Sequence, residues 1–130
     1  MKQSVPYQVC VFLSFIIKYM ASKNDVLFVI PSGVTTICDC AFVDSVMLKS
    51  VVIPDSVTSI GAYAFEYCSS LTSIVIPKSV THMGSSVFYG CVMITVYCEA
   101  ESQPDTWERD WNPTYLRPVN VVWGYKGENN

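Results

Sequence analysis

The segment IPDSVTSIGAYAFEYCSSLTSIV, residues 53–75, is flanked on both sides by variants of itself. The dipeptide Ile-Pro recurs at Ile30-Pro31, Ile53-Pro54 and Ile76-Pro77, and the 23-residue spacing is held both times without insertion. Residues 30–52 read IPSGVTTICDCAFVDSVMLKSVV and residues 76–98 read IPKSVTHMGSSVFYGCVMITVYC, with Pro, Val, Thr and Phe identical in all three units. Repetition at a fixed period of this length marks an array of stacked units.

In register, the columns separate by chemistry. Val34/Val57/Val80, Ile37/Ile60/Met83, Ala41/Ala64/Val87, Phe42/Phe65/Phe88, Leu48/Leu71/Ile94 and Val51/Ile74/Tyr97 stay apolar, whereas the intervening columns vary and are mostly small or polar. A unit this short cannot enclose its own apolar residues, so each must stack on the next, and every constant column becomes a ladder along the stacking axis. The β-rich run Leu71-Thr-Ser-Ile-Val-Ile76 predicts one main strand per coil, ended by Pro77, which has no N–H for a ladder. A second short extended piece is expected at Val57–Ile60. Gly61 is expected to turn the chain, with about one helical turn between Ala64 and Cys68. The fold class is therefore a β-rich solenoid.

The pattern Ile-Pro-x-x-Val-Thr-x-Ile-Gly-x-x-Ala-Phe-x-x-Cys-x-x-Leu-x-x-Ile, complete in residues 53–74, resembles the BspA-type (Treponema pallidum type) leucine-rich repeat. The resemblance covers residues 30–98, with departures at Cys38 for Gly, Ser45 for Cys and Met83 for Ile. It implies a curved sheet solenoid of a kind found mostly in bacterial surface proteins and some protozoa. It also implies adhesion or protein binding, a cell-surface or secreted location, and no catalytic residues to carry over.

The chain has 130 residues, 51% hydrophobic and 15% charged, which fits one domain with a substantial core and excludes an intrinsically disordered chain. Its mean hydropathy of +0.33 requires that much apolar surface be hidden by the fold, a partner or a neighbouring segment. The net charge is −3 and no basic cluster stands ready to neutralise a run of phosphates, so a nucleic-acid partner is not expected.

Three regions follow: residues 1–29, the repeats 30–52, 53–75 and 76–98, and residues 99–130. In the first, the apolar stretch Val9–Ile17 falls short of the roughly 20 residues that cross a bilayer, so no membrane span is expected. One reading is a degenerate N-terminal coil, with Val5-Pro6, Val9 and Phe12 matching the Pro-containing part of the repeat; the chain would then be intracellular. The other is a secretory signal cut after Ala21, against which stand the lone n-region charge, Lys2, and the bulky Tyr19. The last region holds all three tryptophans and begins Glu99-Ala-Glu-Ser-Gln-Pro104. Its ending, down to Trp123-Gly-Tyr125, resembles that of many bacterial proteins with this repeat. It reads as a cap over the open end of the solenoid, with a strand at Val119–Trp123 and a disordered tail after Lys126. A fragment of a larger surface array remains an alternative to an independent module.

Candidate chemistry is sparse. The chain has no Gly-x-Ser-x-Gly, His-Glu-x-x-His, Walker A or Gly-x-Gly-x-x-Gly motif, so neither an enzyme nor a cofactor is expected. His82 falls in the variable column of Thr36 and Ser59 and reads as a surface residue. Of the six cysteines only Cys38 and Cys40 are close in sequence, too few for a zinc site. Cys68 and Cys91 share a column about 5 Å apart, which allows a buried thiol ladder or, less favoured, a disulfide. Glu99, Glu101, Asp105, Glu108 and Asp110 match no calcium loop and read as a solvated acidic face.

Two surfaces remain as binding candidates. Strand alternation places Ser50, Val52, Ser73, Val75, Val96 and Cys98 outward if Ile74 and Ile76 point inward, giving a small, partly apolar strip suited to a protein partner. The alternative partner is a glycan, stacked on a platform of Trp107, Trp111 and Tyr115, although the same rings would equally serve to seal the last coil. The threonines Thr35, Thr58 and Thr81 form a further ladder, read as an ordinary cross-strand row rather than an ice-binding face.

Overall fold

The structure, a computed structural model, describes residues 7–9, 26–113 and 117–127. The chain winds as parallel coils. On one side lie β1 (Tyr7–Val9), β3 (Val34–Ile37), β5 (Ser59–Ile60) and β7 (His82–Met83), paired in that order. On another lie β2 (Val26–Val29) paired with β4 (Leu48–Val52), and β6 (Ser73–Ile76) paired with β8 (Thr95–Cys98) and β9 (Asn120–Val122). Every pairing is parallel, because each strand meets its counterpart one full coil later. The secretory-signal reading and Cys10 fall on residues outside those described, and so does most of the tail beyond Lys126. The Val5-Pro6 alignment needs correcting where it can be checked: Val9 pairs with Ile37 and Tyr7 with Val34, whereas the repeat alignment had placed Val9 opposite Val34.

The constant columns are buried, except at Tyr97, which is half-buried. Ile37, Ala41, Phe42, Leu48, Ile60, Ala64, Phe65, Leu71 and Met83 are wholly inaccessible to water. The phenylalanines stack face to face: Phe42 and Phe65 lie 4.9 Å apart at 8°, Phe65 and Phe88 5.5 Å apart at 11°. Cys68 and Cys91 continue the pattern as free thiols, Cys68 Sγ donating to the Phe42 carbonyl at 3.1 Å and Cys91 Sγ to the Phe65 carbonyl at 2.9 Å. Cys38 is disulfide-bonded, whereas Cys40 and Cys98 are free.

No helix forms among the described residues, and the expected helical turn at Ala64–Cys68 is a run of hydrogen-bonded turns. A helix would consume successive N–H groups within the coil. Here they alternate: Ala41, Val43 and Ser45 bond three residues back, while Cys40, Phe42 and Asp44 donate to Ala62, Ala64 and Glu66 of the next coil. The alternation needs left-handed backbone at two columns, Cys40/Tyr63/Ser86 and Asp44/Tyr67/Gly90, with φ between 49° and 79°. Non-glycine residues hold that conformation at roughly 1–2 kcal/mol each, a strain offset by the inter-coil bonds it permits. In the column Cys38/Gly61/Gly84 a Cβ on Gly61 would fall on the Asp39 backbone nitrogen, and one on Gly84 on that of Ala62, so at these two positions the coils approach too closely for a side chain.

The C-terminal region is a further, altered coil. Pro104-Asp-Thr-Trp107 reproduces the turn of Pro77-Lys-Ser-Val80: Trp107 N–H bonds to the Pro104 carbonyl as Val80 N–H bonds to Pro77. Thr106 Oγ1 donates to the Thr81 carbonyl, extending the row in which Thr81 donates to Thr58 and Thr58 to Thr35. These hydroxyls are thus spent on the preceding coil. Trp111 meets Phe88 edge-on, and β9, within the segment Val119–Trp123, pairs with β8.

Candidate partner-binding face

The outward row of the sheet is set by register. Val29 lies opposite Val52, Val75 opposite Tyr97 and Tyr97 opposite Val122, while Val52 and Val75 hold the same position one repeat apart on the neighbouring strands β4 and β6. Within each sheet these side chains form an apolar file with steps of about 4.8 Å, Val29–Val52 across β2–β4 and Val75–Tyr97–Val122 across β6–β8–β9, and the two files adjoin where β4 lies beside β6. Val29 is 57% exposed and Val52 49%. A parallel, more polar file runs through Leu27, Ser50, Ser73, Thr95 and Asn120. At the C-terminal end Tyr125 lies 4.9 Å from Tyr97, extending the aromatic surface of that strand.

Ser50, Val52 and Ser73 are exposed as expected, and Val75 is half-buried. Val96 and Cys98 are not on this face: both are fully buried in the core. The cause is a one-residue contraction. Leu71-Thr-Ser-Ile74 spaces its inward residues three apart, but Ile94-Thr-Val96 spaces them two apart, so Ser73 pairs with Thr95 and Ile74 with Val96. From that point inward and outward exchange, bringing Val96 and Cys98 in and sending Tyr97 out of the core column to which a strict 23-residue register assigned it. The signal was present in the alternation of Ile94, Val96 and Cys98. Leu27, Val29 and Val122 lay outside the three clear repeats and had no column to place them.

The tryptophan platform is also revised. Trp107 and Trp111 are 4% and 3% exposed, packed on each other at 5.2 Å and on Trp123 at 5.7 and 6.3 Å. Trp107 Nε1 donates to the Val80 carbonyl and Trp111 Nε1 to Gln103 Oε1. Their faces are spent on the last coil and are closed to a sugar. Tyr115 lies outside the described residues.

The polar candidates resolve into structural roles. Glu99 Oε1 accepts the Lys78 N–H at 2.9 Å and Asp110 Oδ1 accepts the Ser85 hydroxyl at 2.7 Å, so two carboxylates of the acidic segment tie the cap to the last repeat. Among the described residues no group of three or more His, Cys, Asp or Glu is placed to hold a metal ion. His82 is exposed at the outer surface of β7. The Cys68 and Cys98 thiols are buried and hold their protons more tightly than a free thiol. Burial pushes Cys98 up to about 12, and a hydrogen bond with Cys91, followed by burial, raises Cys68. Among the described residues no helix is long and apolar enough to cross a membrane.

A family model for the BspA type leucine rich repeat region matches residues 19–103 in six copies. No curated protein and no solved structure matches the chain. The family match reaches beyond the three clear repeats on both sides and spans more than half of the molecule, whose parallel coils, Phe ladder and close-approach glycines realise the repeat. The chain belongs to the BspA-type leucine-rich repeat family.

Proposed function

We propose that the chain is a non-enzymatic protein-binding module, serving adhesion or scaffolding, whose partner docks on the outward sheet face. The repeat solenoid supports protein binding at the coarse level, and proteins of this family are generally non-enzymatic. The observation that carries the finer reading is the apolar file Val29, Val52, Val75, Tyr97 and Val122. Isolated exposed apolar residues are ordinary; a file aligned across consecutive strands offers an extended surface whose desolvation favours association. Stacked strands on a rigid solenoid also hold that surface without loss of conformational entropy on binding. A photocrosslinking amino acid at Val52, introduced in the native host, tests this. A discrete protein adduct that disappears with Val75→Asp supports the face; adducts formed from the turn surface but not from Val52 overturn it.

A further inference from the structure

The turn side of the solenoid carries a second site, independent of the sheet face. Tyr67, Tyr89, Gly90, Cys91, Val92 and Arg117 line a cleft of about 230 Å³. Tyr67 and Tyr89 meet edge-on at 5.5 Å and 70°. Glycine at position 90 has a left-handed φ of +79° and lets the Tyr67 ring lie where a Cβ would stand. Tyr67 is therefore backed by glycine backbone on one side and remains 45% exposed. Val92 supplies an exposed apolar wall, and the exposed Arg117, from the cap, supplies the positive charge at the rim. Among the described residues no carboxylate is ion-paired with Arg117.

We propose that this cleft binds a carboxylated sugar, with the pyranose ring against the tyrosines and its carboxylate on the Arg117 guanidinium. Three features point to that chemistry. An aromatic surface rimmed by hydroxyls matches a ring that has both apolar faces and polar edges. A guanidinium fork pairs with a carboxylate through two parallel hydrogen bonds. The volume lies below the roughly 300–1,000 Å³ of pockets that enclose drug-sized ligands, which suits one ring presented on a longer glycan. Charge also fixes the orientation. Asp44 and Glu66 belong to the coil before Tyr67 and to its own coil, whereas Arg117 lines the cleft from the C-terminal region, so the acidic group points toward Arg117.

Calorimetric titration of the full chain with trigalacturonate and with its methyl ester tests the proposal. The acid is expected to bind with a Kd of about 1 mM or tighter and the ester about tenfold more weakly, the factor that corresponds to about 1.4 kcal/mol. Arg117→Gln should reduce the acid to the level of the ester. Val92→Glu, an exposed position whose substitution leaves the core untouched, should abolish binding of the acid without lowering Tm. Equal binding of acid and ester, an unaltered Arg117→Gln variant, or equally tight binding of pentaglutamate would each overturn it.

Discussion

Trp111 stands edge-on to Phe88, with ring centroids 6.4 Å apart and planes at 80°, where the phenylalanines before it lie within 11° of parallel. Phe42 in turn is met by Phe28 of β2 at 5.8 Å and 65°. At the Trp111 end the stack is thus closed by a ring turned across it, which presents an edge where a further parallel ring would otherwise be accepted. Trp111→Ala should remove about 3–5 kcal/mol of stability. It should also produce concentration-dependent association through the uncovered Phe88, read by denaturant unfolding and by sedimentation. Loss of stability with a strictly monomeric species would mean that the remaining tryptophans seal the end without it.

Glycines at two positions should respond differently to alanine. At Gly33, with φ +98° and nothing within 4 Å of the added methyl, only left-handed strain is introduced, about 1–2 kcal/mol. At Gly61 the methyl meets the backbone of Asp39, which cannot swing aside, and Asp39 Oδ1 also accepts the Ala62 N–H there at 2.9 Å. Gly61→Ala should therefore be the more damaging by at least about 1 kcal/mol, measured by urea unfolding of the two variants side by side.

Ser45 takes the Cys68/Cys91 column one coil earlier, is 1% exposed, and leaves its hydroxyl without a hydrogen-bond partner. A buried hydroxyl in that state costs about 1–3 kcal/mol. Ser45→Ala should raise stability by about 1 kcal/mol, the removed penalty less the small cavity; an equal or lower Tm would show that the oxygen is satisfied in solution.

The Cys98 thiol, raised by burial from 9.0 to about 12, binds its proton in the fold at pH values where the unfolded chain has lost it. Its contribution to stability is intact below pH 9 and falls as pH rises from 9 toward 12, by at most about 1.4 kcal/mol per unit. Cys98→Ala should flatten that part of the stability profile. In alkylation followed by peptide mass analysis, partly exposed Cys40 should react before the buried Cys68, Cys91 and Cys98.

The repeat was legible because its constant columns answer one demand, stacking of apolar side chains, and residues such as Phe65, Leu71 and Gly61 have few substitutes there. The left-handed columns were hidden because Cys40, Tyr63, Asp44 and Tyr67 carry no glycine signature; the inter-coil bonds, not local preference, hold them. The C-terminal turn was less legible, because Trp107 stands in the place of Val80 and an aromatic residue there hides the valine column. The Tyr67–Tyr89–Arg117 cleft draws its residues from two coils and the cap, so no local motif announces it.

The contraction between Ile94 and Val96 shows how such a molecule can be remade. A strand one residue shorter reverses the orientation of every later side chain in it while leaving the stack intact, and here Tyr97 faces outward while Val96 and Cys98 fill the core. Substitution alters a docking surface one residue at a time; a single-codon deletion rewrites a whole edge of it at once. In an array of near-identical coils, length variation within a strand therefore changes which side chains face outward while the fold stands.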